Sequence, residues 1–198
     1  MKKTSGRTVQ YSRKTRETEI SIEVDFDGRG EISVSTGVPF FDHLLQAMAF
    51  HGRFGLRVQG RGDIDVDEHH LVEDAGIVFG EALNRLLEAH GPVRRYAQAV
   101  IPMDEALSEV VVDVSGRSCL VFTGAFPQER IGSFQAVLLR EFLAGLAGRG
   151  RMAIHAHLRY GENSHHMAEA LFKALGVALS SAYTPAAGDE MSTKGTLD

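Results

Sequence analysis

Two runs of one pattern, His69-His70-Leu71-Val72-Glu73 and His165-His166-Met167-Ala168-Glu169, start 96 residues apart in a chain of 198. Each is His-His-x-x-Glu, and each opens an apolar stretch of helical period. On a helix, residues four apart share a face and residues three apart are neighbours. Each run therefore sets one imidazole beside a carboxylate and turns the second imidazole away by roughly 100°. Imidazole and carboxylate donors used twice point to a pair of first-row transition-metal sites. One such run alone reads as a surface or capping feature of a helix. Two copies at matched places favour metal.

The surrounding elements repeat as well. In the first half, polar and apolar residues alternate over 18–26, a turn falls at 27–30, and a second strand covers 31–35. A helix is expected over 40–49, a strand over 54–58, a break at 60–62, and a helix over 69–89. That helix stops at His90-Gly91-Pro92. The second half reads as strands at 96–101, 109–114 and 119–123, a helix over 133–147, a strand at 152–158 and a helix over 164–181. The pattern is a tandem α+β duplication of a β-β-β-α-β-α unit, with helices covering one face of each sheet. The strands within a half can pair antiparallel. The halves divide as 1–93 and 94–184, packed as one compact domain, with a polar tail over 185–198.

The repeat extends the list of donors. His43 lies 26 residues before His69, and Glu141 lies 24 residues before His165. Both fall on the shorter helix of their half. If both face the paired-histidine helices, eight donors are available, four for each of two ions, leaving open positions on an octahedral metal.

Composition narrows the function classes. The net charge is −5 and the pI near 6.0, which opposes general nucleic-acid or anionic-membrane binding. Hydrophobic content of 43% is enough for a core. The single cysteine, Cys119, leaves no internal disulfide and fits a reducing cytosol. No signal-peptide pattern and no membrane-length apolar run are visible.

Beyond the two runs, ordered segments carry a specific resemblance: RET at 16–18, TGVPFFDH at 36–43, DEHHLVED at 67–74, PMDEA at 102–106, SGR at 115–117, GENSHHMAE at 161–169, FKA at 172–174 and STKG at 192–195. Together they span nearly the whole chain, which resembles the imidazoleglycerol-phosphate dehydratase family of histidine biosynthesis. The resemblance implies a duplicated fold like the second domain of ribosomal protein S5. It also implies two Mn2+ per active site, and trimers assembling into a 24-mer with sites completed between subunits.

The implied reaction dehydrates imidazole glycerol phosphate to imidazole acetol phosphate through a metal-stabilised imidazolate. One ion would take His43, His70, His165 and Glu169. The other would take His69, Glu73, His166 and Glu141. Some family members carry histidine where this chain has Glu141, so the second ion has either this carboxylate or a water at that position. Glu17 matches a substrate-contacting position and is the candidate for proton transfer, with Glu73 and Glu169 as ligands able to shuttle protons. Arg95, Arg117, Lys173, Ser192, Thr193 and Lys194 match substrate-contact positions and would grip the phosphate, the tail closing over it. Met191 stands where the family usually has proline. His51 lines the pocket or simply ends its helix. The PMDEA segment matches without an evident chemical role. The competing readings are a noncatalytic metal-binding assembly protein of the same fold and an RNA-binding module suggested by the fold alone.

Overall fold

The computed structural model describes residues 6–28 and 30–186. The first half contains β1 (Thr8–Lys14), β2 (Thr18–Asp25), β3 (Ile32–Ser35), α1 (Pro39–Gly52), β4 (Gly55–Gly62) and α2 (His69–His90). The second contains β5 (Tyr96–Met103), β6 (Ala106–Asp113), β7 (Cys119–Thr123), a short hairpin of β8 (Arg130–Ile131) and β9 (Phe134–Gln135), α3 (Leu138–Gly150), β10 (Ala153–Tyr160) and α4 (Ser164–Ala182). The sheets have the orders β1-β2-β4-β3 and β5-β6-β10-β7, which are the same order in repeat terms.

Alternation makes the strands. In β2, Ile20, Ile22 and Val24 are buried while Glu19, Ser21 and Glu23 face outward. In β6, Ser108, Val110 and Val112 take the inward places. Strand register repeats too: Thr8 pairs with Asp25, and Tyr96 with Asp113. The shorter helices end alike, with Arg53 and Arg151 as left-handed C-caps.

Three details differ from the sequence expectation. β1 supplies the third strand that the first half needed. Each sheet holds one parallel pair, β3 with β4 and β7 with β10, because the intervening helix returns the chain to the same end of the sheet. The helix expected from residue 133 begins only at Leu138, since Phe134 is buried as part of the β8–β9 hairpin.

Each sheet is covered on one face by its own two helices, and the two helix layers meet: α1 packs on α4, and α2 on α3. The helices approach closely at glycines. A Cβ at Gly176 would strike the Met48 carbonyl, and one at Gly76 the Phe142 carbonyl. Phe41, Phe79, Phe142 and Phe172 fill the space between the layers. This crossed packing sets the N-terminal end of each paired-histidine helix against the shorter helix of the opposite half. Among the described residues no helix is long and apolar enough to cross a membrane.

Candidate metal centre and active site

The two paired-histidine helices begin with the same local chemistry. The Asp67 carboxylate accepts the His69 N–H at 2.8 Å, and the Asn163 side chain accepts the His165 N–H at 2.9 Å. Each fixes the first turn and therefore the direction of its imidazole pair.

At the α1–α4 contact, His43 Nε2 lies 3.0 Å and His165 Nε2 2.9 Å from the same oxygen, Glu169 Oε1. Among the described residues this is the one group of three His, Cys, Asp or Glu side chains whose donor atoms fall within 4.8 Å of one another. Glu169 is nearly buried, and its other oxygen accepts from Lys173 Nζ at 2.7 Å. Burial pushes this carboxyl upward, but the Lys173 ammonium and the two rings outweigh it and hold the pKa at about 2. Lys173 also lies 3.3 Å from Met103 Sδ, so its ammonium is engaged within the α4 face rather than displayed to solvent.

The repeat-related location is the α2–α3 contact. His69 and Glu73 stand one turn apart at 4.0 Å. Glu141 is the counterpart of His43 on α3, on the same face as Gly145, which packs against the Glu73 carbonyl. Its carboxylate is 3.8 Å from Arg140, and it does not join the close donor cluster.

The second imidazole of each pair points elsewhere. His70 Nδ1 faces Asp63 Oδ2 at 3.0 Å and Glu17 Oε2 at 3.8 Å. His166 Nδ1 faces Glu105 Oε2 at 2.7 Å, with Asp104 3.7 Å from Nε2. Asp63 and Glu105 raise the affinity of these two rings for a proton. The single chain therefore assembles three of the four donors assigned to the first ion, and His70 lies apart from them.

The remaining assigned residues are spread out. Glu17 sits at the β1–β2 turn, where Thr15 Oγ1 accepts its N–H at 3.1 Å and its carbonyl accepts the Asp63 N–H at 3.1 Å. Its carboxylate is left largely exposed. His51 lines a cleft with Gly30, Phe50 and Arg53, and burial, then Lys173, lowers its pKa. Arg95 makes a bidentate pair with Asp113, at 2.7 and 3.3 Å, and lies over the Tyr96 ring. Arg117 belongs to a turn closed by Ser115. Arg95 and Arg117 are at the opposite end of the second sheet from the Glu105 turn, ~23 Å away by the rise of an extended strand. Ser192, Thr193, Lys194 and Met191, in the expected tail, lie outside the described residues.

Sequence reasoning missed Asp63 and Glu105. Glu105 had a signal, because strand register makes it the repeat counterpart of Glu17, just as His43 led to Glu141. Asp63 had none, since it follows the β4 strand with no partner in the second half.

Comparison with known proteins agrees with the fold. The imidazoleglycerol-phosphate dehydratase family model matches residues 36–179. A protein of that name from Limosilactobacillus fermentum is 47% identical over 193 residues, covering 96% of this chain and 100% of the relative. Another from Methanosarcina mazei is 47% identical over 191 residues, with coverages of 96% and 100%. The crystal structure of the Staphylococcus aureus imidazoleglycerol-phosphate dehydratase superposes with a TM-score of 0.80 at 36% identity, covering 89% of this chain and 99% of that one. The Pyrococcus furiosus structure gives 0.80 at 38% identity, with coverages of 93% and 99%. The family model, the near full-length relatives and the shared fold show that the chain belongs to the imidazoleglycerol-phosphate dehydratase family, a family of carbon–oxygen hydro-lyases.

Proposed function

We propose that this chain dehydrates imidazole glycerol phosphate to imidazole acetol phosphate and water, as a manganese-dependent step of histidine biosynthesis in the cytoplasm. The observation that carries the reading is the convergence of His43 and His165 on Glu169 Oε1 from helices of opposite halves.

The donor chemistry fits a divalent ion. Two ring nitrogens aimed at one ionised carboxylate oxygen, nearly buried, form a set that a cation completes. His43, His165 and Glu169, joined by His70, would hold one Mn2+. His69, Glu73, His166 and Glu141 would hold the other, with Glu141 a harder oxygen donor in place of a ring nitrogen. Bound manganese supplies Lewis acidity toward the substrate imidazole.

The chain's own groups do the rest. Lys173 keeps Glu169 ionised, so that the carboxylate remains a ligand. Glu17, whose backbone is fixed and whose carboxylate is largely exposed, moves the carbon-bound proton of the substrate. Arg95 and Arg117 supply the planar donors that suit a phosphate, and Ser192, Thr193 and Lys194 close over it.

His70 stands apart from the Glu169 cluster, and the two arginines are a sheet length from the Glu105 turn. Several copies would therefore contribute to each site. Assembly into trimers and a 24-mer, with sites shared between neighbours, is the arrangement that meets this need.

Turnover of imidazole glycerol phosphate by chelator-stripped protein tests the reading. Activity is expected to vanish on stripping and return with manganese. A stripped and reloaded protein that binds manganese, assembles and remains inactive would favour the noncatalytic assembly instead.

A further inference from the structure

The β1–β2 and β5–β6 turns are repeat counterparts, and strand register sets Glu17 opposite Glu105 in the two halves. Their surroundings differ. Glu105 Oε1 accepts the N–H groups of Glu162 and Asn163 at 3.1 and 2.9 Å, and Oε2 faces His166 Nδ1 at 2.7 Å. Glu17 makes only the 3.8 Å approach to His70, because Asp63 Oδ2 has taken the position beside His70 Nδ1 at 3.0 Å.

A carboxylate accepts and does not donate, so Nδ1 of each ring carries the proton. In the neutral ring Nε2 then carries the lone pair on both His70 and His166; on His166 it has Asn163 Nδ2 at 3.5 Å and Asp104 Oδ2 at 3.7 Å for neighbours. Carboxylates in this position fix the tautomer and the orientation of histidine ligands.

From this juxtaposition we infer that the duplicated turn glutamate has divided its roles. Glu105 is a positioning residue that fixes the His166 ring so that Nε2 can ligate. Asp63 does the same for His70, which leaves Glu17 free for the substrate. The inference rests on the reading of His166 as a metal ligand, and the test separates the two.

The full-length protein, stripped with chelator, is titrated calorimetrically with manganese(II) chloride as wild type, His166→Ala, Glu105→Gln and Glu105→Ala. Thermal midpoints are measured on the metal-free forms. In Glu105→Gln, the side-chain carbonyl still accepts the two backbone N–H groups. The amide N–H now faces Nδ1, which must turn acceptor and move the ring proton to Nε2. The expected result is two ions per chain in wild type and one in His166→Ala. Glu105→Gln should bind one of its two ions at least about tenfold more weakly, with the metal-free midpoint unchanged. Glu105→Ala should show the same metal defect together with a lowered midpoint, because the backbone N–H groups ahead of α4 lose their acceptor. If His166→Ala loses an ion and Glu105→Gln binds both as wild type does, the inference is overturned while the ligand reading stands. If His166→Ala keeps both ions at wild-type affinity, the ligand reading fails and the inference fails with it.

Discussion

Glutamine in place of Glu169 is expected to remove one of two manganese ions per chain and to lower dehydratase turnover by about a hundredfold or more. The side chain is nearly buried and is shared by three partners, His43, His165 and Lys173, at 3.0, 2.9 and 2.7 Å. An amide of the same shape keeps the volume and removes the charge. Lys173 then faces a neutral amide instead of an anion, and the metal-free protein should be destabilised by about 1–3 kcal/mol, the scale of a hydrogen bond that loses its charge assistance. Metal analysis, turnover and urea denaturation of one preparation separate these effects. Two ions retained with near wild-type turnover would remove Glu169 from the site.

Glu17→Gln is expected to behave differently. Its carboxylate is exposed, and its backbone is held by Thr15 and Asp63 irrespective of the side-chain charge. Turnover should fall by about 10²–10⁴-fold, the usual contribution of a positioned acid or base, while both ions are retained and stability is unchanged. The contrast with Glu169 follows from burial and partners: one carboxylate is fully engaged, and the other is placed but uncommitted. Loss of an ion in Glu17→Gln would reassign it to the metal shell, and unchanged turnover would end its proton-transfer role.

Much of this was legible in the residues. The two His-His-x-x-Glu runs located both long helices, and alternation in 18–26 located β2. Apolar spacing located the shorter helices, and the repeat made His43 and Glu141 equivalent positions on them. The β8–β9 hairpin was not legible, because Phe134 and Leu138 fit a helical period as well as they fit a buried strand followed by a helix. Nor were the parallel pairs, since a single strand pattern does not encode its partner's direction. In the site, helix periodicity could place His165 beside Glu169 within α4. It could not place His43 against them, which depends on the α1–α4 contact that Gly176 permits. Asp63 and Glu105 were missed for a related reason: their roles lie in contacts made by turns, where no periodicity operates. Glu105 was nonetheless within reach, because applying the repeat to Glu17 leads to it directly. The position of His70 away from Glu169 goes with its own contact to Asp63 Oδ2 at 3.0 Å, again a turn contact that no periodicity encodes.

Crystals of the assembled protein grown with manganese, with anomalous differences recorded at the manganese absorption edge, test the shared two-metal site most directly. Two peaks per chain are expected. One should be bounded by His43, His165 and Glu169 of one copy and by His70 of a neighbour through Nε2. The other should lie among His69, Glu73 and Glu141, with His166 supplied through Nε2. A manganese-loaded crystal without a peak against Glu169 Oε1, or with His70 turned away from every metal, would contradict it.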